Sequence, residues 1–154
     1  MSAKLQSLIK QSRPFGSLEQ EASLAIARLA SELGAEQADL LRDSGITATQ
    51  YNALRILRGS QDEPLSCGEV GERMITRESD VTRLLDRLEK QGLVVRARDE
   101  RDRRVVKARI TERGLALLAK LDEPMSALHH RQLGHLGPEK LERLLALLEE
   151  AASR

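Results

Sequence analysis

The side chains best suited to chemistry in this sequence are cations, and they are bunched. Between Arg73 and Arg113 lie 13 Lys and Arg against 8 Asp and Glu, whereas the rest of the chain carries 12 against 16. Arginine supplies 19 of the 25 cations, and its planar fork suits bidentate contacts to phosphate and guanine better than solvation alone requires. Two groups stand out within the segment. Ser79, Thr82, Arg83, Asp86 and Lys90 recur at helical spacing opposite Val81, Leu84, Leu85 and Leu88, while Arg101, Asp102, Arg103 and Arg104 sit in one unbroken charged run, 99–104. The first group gives one side of a helix a hydrogen-bonding surface, and the second is a compact cationic tip. An ordinary solvated helix face has the same periodicity, so spacing alone leaves both readings open.

Other chemistries find little support. No Ser/His/Asp arrangement, phosphate loop or apolar carboxylate pair is present, and no enzyme is expected. His129, His130 and His135 lack the spacing of metal ligands and have no cysteine near them, so no metal and no cofactor are expected. Cys67 is the one cysteine among 154 residues, which excludes an internal disulfide. It falls in the first turn of a short helix, where the dipole lowers a thiol pKa, but a small buried cysteine fits equally. Phe15 and Tyr51 are the only aromatic residues, too few to stack single-stranded bases, so duplex is the nucleic acid left open. No apolar run is long enough for a bilayer and none follows Lys4 as a secretory signal would need, so the expectation is a cytoplasmic protein with no membrane partner.

The elements that must hold these residues follow from pattern. Leu18, Ala22, Ala25, Ile26, Leu29, Leu33, Leu40 and Leu41 mark a long amphipathic helix, with Gly34 as a point where two helices could meet instead and Gly45 as its closing glycine. Thr47 with Gln50 forms a capping box flanked by the Ile46–Tyr51 staple, and Ser66 with Glu69 repeats the device beside Leu65 and Val70. Thr76 is placed to cap the next helix, which ends at Lys90-Gln91-Gly92. Two β-branched runs, 93–98 and 105–110, enclose the charged tip as a hairpin. Thr111 opens a helix that Pro124 should kink or break, and Gly137-Pro138 starts a last helix striped by Leu141, Leu144, Leu145 and Leu148. Helices followed by a basic hairpin make a winged helix-turn-helix: a mainly α fold with a small β-hairpin wing.

At these positions the sequence resembles the MarR family of bacterial transcription regulators. The likeness runs through Val81-Thr82-Arg83-Leu84-Leu85-Asp86-Arg87-Leu88-Glu89, then Gly92-Leu93-Val94 with Arg96, then Asp102-Arg103-Arg104, then Ile110-Thr111 with Gly114, and extends weakly from about Ile46 to Leu148. The resemblance implies one domain over 1–154, with a DNA-binding lobe over about 46–112 and a helical dimerisation stem over about 17–44 and 112–152. It further implies a ligand-responsive homodimeric repressor on a pseudo-palindromic duplex operator. Carried over, Ser79, Thr82 and Arg83 reach bases or phosphates in the major groove, Arg104 enters the minor groove with Arg103 beside it and Arg101 on the same tip, and Arg77 and Arg87 meet phosphates. Asp102 would orient the wing arginines through a charge-assisted bond, and Asp86 needs a cation such as Arg83, Lys90 or Arg96 to neutralise it. Arg28, Tyr51 and Arg55 would line a pocket for a small aromatic or phenolic acid; a core tyrosine with two surface arginines is the competing reading. Leu141, Leu144, Leu145 and Leu148 would pack the dimer stem. A winged helix used for protein docking and a ligand-blind DNA-binding protein remain as alternatives.

Overall fold

The structure, a computed structural model, describes residues 3–77 and 80–153. It divides into two compact units, Met1–Gln37 and Ala38–Arg154. The first holds α1 (Ala3–Leu8) and most of α2 (Leu18–Arg42). Ser17 starts α2 by accepting the Gln20 N–H through its hydroxyl at 3.2 Å, and the helix passes through Gly34 without interruption. A glycine there costs roughly 1 kcal/mol relative to alanine, which the rest of a 25-residue helix absorbs.

The second unit contains the end of α2, α3 (Ala48–Arg58), β1 (Leu65–Ser66), α4 (Cys67–Arg73), α5 (Val81–Lys90), β2 (Val94–Arg98), β3 (Val106–Ile110), α6 (Glu112–Leu133), a 3-10 turn (Gly134–Leu136) and α7 (Gly137–Ala152). Gly45 closes α2 with φ +69°, a backbone setting that favours glycine, and its N–H donates to Arg42 O. Both capping boxes form: Thr47 and Gln50 exchange bonds of 3.1 and 2.9 Å, and Ser66 and Glu69 bonds of 3.3 and 2.8 Å. The flanking pairs Ile46–Tyr51 and Leu65–Val70 are all buried. Around them α3, α5 and α6 pack Leu54, Leu85, Leu88 and Leu118 into one core in which these four side chains are fully covered. Each such leucine contributes about 1.5–3 kcal/mol of burial.

Two local expectations are corrected and a third is extended. Thr76 does not cap α5; Asp80 does, its carboxylate accepting the Arg83 N–H at 2.9 Å, so the helix starts at Val81. A carboxylate at the start of a helix also faces the positive end of its dipole, which the threonine hydroxyl cannot exploit. Pro124 does not end α6, which is continuous from Glu112 to Leu133. Its cost, one backbone donor and a crowded preceding turn, is set against Leu118, Leu121, Met125 and Leu128 buried on either side of it. Finally, Leu65–Ser66 is more than a staple and cap. It forms a third strand, antiparallel to β3 with Leu65 opposite Ala108, giving the sheet order β1-β3-β2.

Candidate nucleic-acid interface

α5 presents two distinct sides. Leu84, Leu85 and Leu88 are buried, Val81 is half-buried, and Thr82, Arg83, Arg87 and Lys90 are exposed. Arg83 leans back along the helix, its Nε lying 3.2 Å from Asp80 Oδ2. That pair is exposed, so it is cheap to exchange for another anion. Arg77 is exposed ahead of the helix. Ser79 and its neighbour Glu78 lie outside the described residues. Asp86 finds its cation not on the helix but on β2, where Arg96 Nη2 bonds its Oδ1.

The wing is built around a carboxylate that helical and strand periodicity do not single out. Asp99 Oδ1 accepts the N–H groups of Arg101 (2.9 Å) and Asp102 (3.0 Å), and its Oδ2 meets Lys107 Nζ at 2.7 Å. Backbone bonds Asp99 N to Val105 O and Val105 N to Asp102 O, both 2.9 Å, close the turn. Lys107 and the two N–H donors hold the Asp99 carboxyl down at about 2, because all three favour its ionised form. Asp102 acts on a main-chain group: its Oδ1 accepts the Arg104 N–H at 3.0 Å. It therefore shapes the turn that carries the arginines, where the resemblance suggests a bond that orients the arginines themselves. Arg101, Arg103 and Arg104 are exposed at the tip. An aspartate preceding two turn residues is the sequence signal that marks Asp99.

The base of the wing is fixed on both flanks. Thr111 caps α6, accepting the Gly114 N–H at 3.1 Å, and donates its hydroxyl proton to Gly92 O at 2.8 Å, which ties the start of α6 to the end of α5. A Cβ on Gly114 would stand 2.5 Å from Leu93 O and 2.6 Å from Ile110 Cγ1, so the helix meets the sheet at a distance only glycine allows.

Of the pocket candidates, Tyr51 is buried and Arg55 lies over its ring at 5.9 Å, a cation–aromatic contact. Burial pushes the Tyr51 hydroxyl up. Beside them Arg58 Nη1 spans both oxygens of Asp122 at 2.9 Å, joining α3 to α6; no local pattern predicts this pair, since its members lie so far apart in sequence. Arg28 belongs to the other unit and pairs with Glu32. Cys67 is half-buried, and among the described residues no group of three His, Cys, Asp or Glu side chains is placed to hold a metal. On α7 no side chain is buried: Leu141 and Leu144 are partly covered, Leu145, Leu147 and Leu148 exposed. No described helix is long and apolar enough to cross a membrane.

A capped helix with one buried and one cationic side, tied to a β-hairpin with an arginine tip, defines a winged helix-turn-helix protein of the kind that binds duplex DNA. The MarR family model matches residues 44–105. The regulator TtmR of Methylorubrum extorquens is 36% identical over 137 residues, 89% of this chain and 67% of that protein. A crystal structure of a MarR transcription factor from Planctomyces limnophilus is 40% identical, covers 88% of this chain and 98% of that one, and superposes with a TM-score of 0.68. The Bordetella bronchiseptica regulator BpsR, described for regulation of its DNA binding by 6-hydroxynicotinic acid, shares the fold at 22% identity and TM-score 0.76, over 86% of this chain and 99% of its own. The chain belongs to the MarR family, whose members are DNA-binding transcriptional regulators and not enzymes.

Proposed function

We propose that this regulator is a homodimer that holds a pseudo-palindromic operator through α5 and the wing of each subunit and releases it when a small aromatic or phenolic acid binds. The observation that carries the DNA reading is the pairing of Thr82, Arg83, Arg87 and Lys90 on the open side of α5 with Arg101, Arg103 and Arg104 on a wing tied to that same helix. Arg83 and Thr82 read base edges, Arg87 and Arg77 meet phosphates, and Arg103 and Arg104 follow the narrow, electronegative minor groove. Ser79, outside the described residues, is assigned a major-groove contact in the same proposal.

Dimerisation is supported by the exposed leucines of α7, with Leu145 59% and Leu147 62% exposed. Exposed apolar surface of that kind along a helix favours covering by another chain. Ligand response is supported by BpsR, in whose case an aromatic acid regulates DNA binding, and by Arg55 over Tyr51, which offers a cation beside an aromatic ring. Two recognition helices enter successive major grooves when they lie about 34 Å apart. An acid that binds one spacing better than the other shifts the population by its differential affinity alone. Repression then follows from occupancy of a promoter, and the protein works in the cytoplasm where that promoter is.

The deciding experiment is retention of promoter fragments by the purified protein, with and without a panel of hydroxylated aromatic acids. Retention of a discrete set of fragments, lost on adding one of the acids, is expected. Retention indifferent to every acid would remove ligand response, and no retention at all would remove the DNA reading.

A further inference from the structure

The wing and α5 are joined by one side chain, Arg96, that reaches from the strand to two carboxylates of the helix. Arg96, in the middle of β2, donates from Nε and Nη2 to Glu89 Oε2 at 3.0 and 2.8 Å, and its own backbone N–H donates to Glu89 Oε1 at 3.1 Å. The same Nη2 reaches Asp86, one turn earlier on α5. One guanidinium thus binds two carboxylates on successive turns of the helix, and one of those carboxylates also grips the strand's main chain. The Arg96 side chain is only 20% exposed, so these bonds are shielded from water more than those of Arg83, whose side chain is 77% exposed.

The placement gives the cluster leverage. Beyond Arg96 the strand continues through Arg98 to the tip, with Arg96 opposite Ala108 and Arg98 opposite Val106. At roughly 3.3 Å per residue, the tip arginines lie about 15 Å from this anchor. A rotation of about 5° there carries them over about 1 Å, more than the whole range of good hydrogen-bond lengths. Attachment at several points resists such rotation, because a planar guanidinium held by two carboxylates, one of which also takes the Arg96 N–H, fixes direction as well as distance.

We infer that Arg96, clamped between Asp86 and Glu89, is a positioning residue that locks the wing to α5 at a set angle, so that major-groove and minor-groove contacts are made as one rigid unit and sequence choice depends on a side chain that touches no DNA. Glu89 is the principal partner, since it holds both the side chain and the backbone of Arg96; Asp86 adds direction and is itself neutralised on the groove side. The inference rests on the DNA reading proposed above.

A double-mutant cycle tests it. Arg96→Met keeps the length of the stem and removes the fork; Arg104→Ala removes a tip contact. Affinities of the parent protein, both single variants and the double variant are measured for an operator duplex and for an unrelated duplex, with thermal melting as the control on folding. If Arg96 acts through the wing, Arg96→Met lowers operator affinity by about tenfold with a smaller loss on unrelated duplex. The double variant then falls well short of the product of the two single losses. Losses that multiply, or an unchanged ratio of operator to unrelated binding in a folded Arg96→Met protein, overturn the inference. Should Arg96→Met not fold, Glu89→Gln and Asp86→Asn, which preserve shape and weaken the clamp, replace it in the same cycle: losses short of the product support the clamp, and losses that multiply overturn it. Parent protein that binds no duplex would instead defeat the DNA reading while leaving the clamp itself untouched.

Discussion

Asp99 shows how one carboxylate sets the geometry of a cationic tip. Its two N–H partners and Lys107 keep its folded pKa at about 2 against an ordinary 3.8. A carboxylate depressed in this way stabilises the folded wing above its ordinary pKa, and that contribution fades as pH falls from 3.8 towards 2. Carboxyl carbon NMR should therefore find Asp99 titrating well below the ordinary aspartate value of 3.8, while Asp99→Asn should disturb the amide shifts of Arg101 and Asp102; titration at the ordinary value would contradict the turn described here. The arginines proposed to enter the grooves carry a second expectation. Arg104→Ala should weaken most duplexes alike, whereas Arg83→Ala should cost about 1–3 kcal/mol on the operator and relax sequence choice, as anisotropy titrations on matched and mismatched duplexes would reveal. Much at this scale is legible in the sequence: Thr47 and Gln50, and Ser66 and Glu69, act within four residues, where spacing determines the partner. Asp99–Lys107, Arg58–Asp122 and Glu89–Arg96 depend on how elements meet, and from sequence Arg96 is only one of three cations able to neutralise Asp86.

The elements divide along the same line. α3 declares itself through periodicity and its capping box, α2 and α5 through periodicity and the hairpin through its two β-branched runs, and the pattern of apolar residues assigns the right side of α5 to the core. β1 escapes pattern because two residues carry no alternation; Leu65 pairs with Ala108 through backbone bonds that any sequence can make. Thr76 and Asp80 are both competent caps by residue type, and only the structure separates them; Pro124 weighs less than its type suggests because burial of α6 on either side outweighs one missing donor. Gly114 gives this scale its prediction. Gly114→Ala forces a methyl into Leu93 O and Ile110 at the joint of α6 with the sheet, and overpacking of that kind costs about 1–3 kcal/mol. A melting temperature lowered by several degrees is expected, with operator affinity reduced in step as the wing base shifts; an unchanged melting temperature would show that the joint yields without cost.

At the scale of the whole molecule, charge and apolar surface are segregated. The cationic excess between Arg73 and Arg113 lies on α5 and the wing, whereas Leu145, Leu147 and Leu148 of α7 stand exposed. Sequence periodicity marks Leu141, Leu144, Leu145 and Leu148 as a stripe but leaves out Leu147, which is the most exposed of the α7 leucines at 62%; a stripe is inferred from what a helix hides within its own chain, and α7 buries no side chain there, only half-covering Leu141 and Leu144. Sedimentation at micromolar concentration should give a dimer, and Leu145→Lys with Leu147→Lys should shift it towards monomer; a folded parent protein sedimenting as a monomer would dismiss the stem. The grip on duplex by α5 and wing together is tested most directly by operator affinity as monovalent salt rises from about 50 to about 200 mM. Six or more phosphate contacts shared by two lobes predict a loss of about 1,000-fold or more, linear in log salt with a slope near −0.9 per contact. An affinity that barely changes over that range would contradict it and leave the winged helix a surface for something other than DNA.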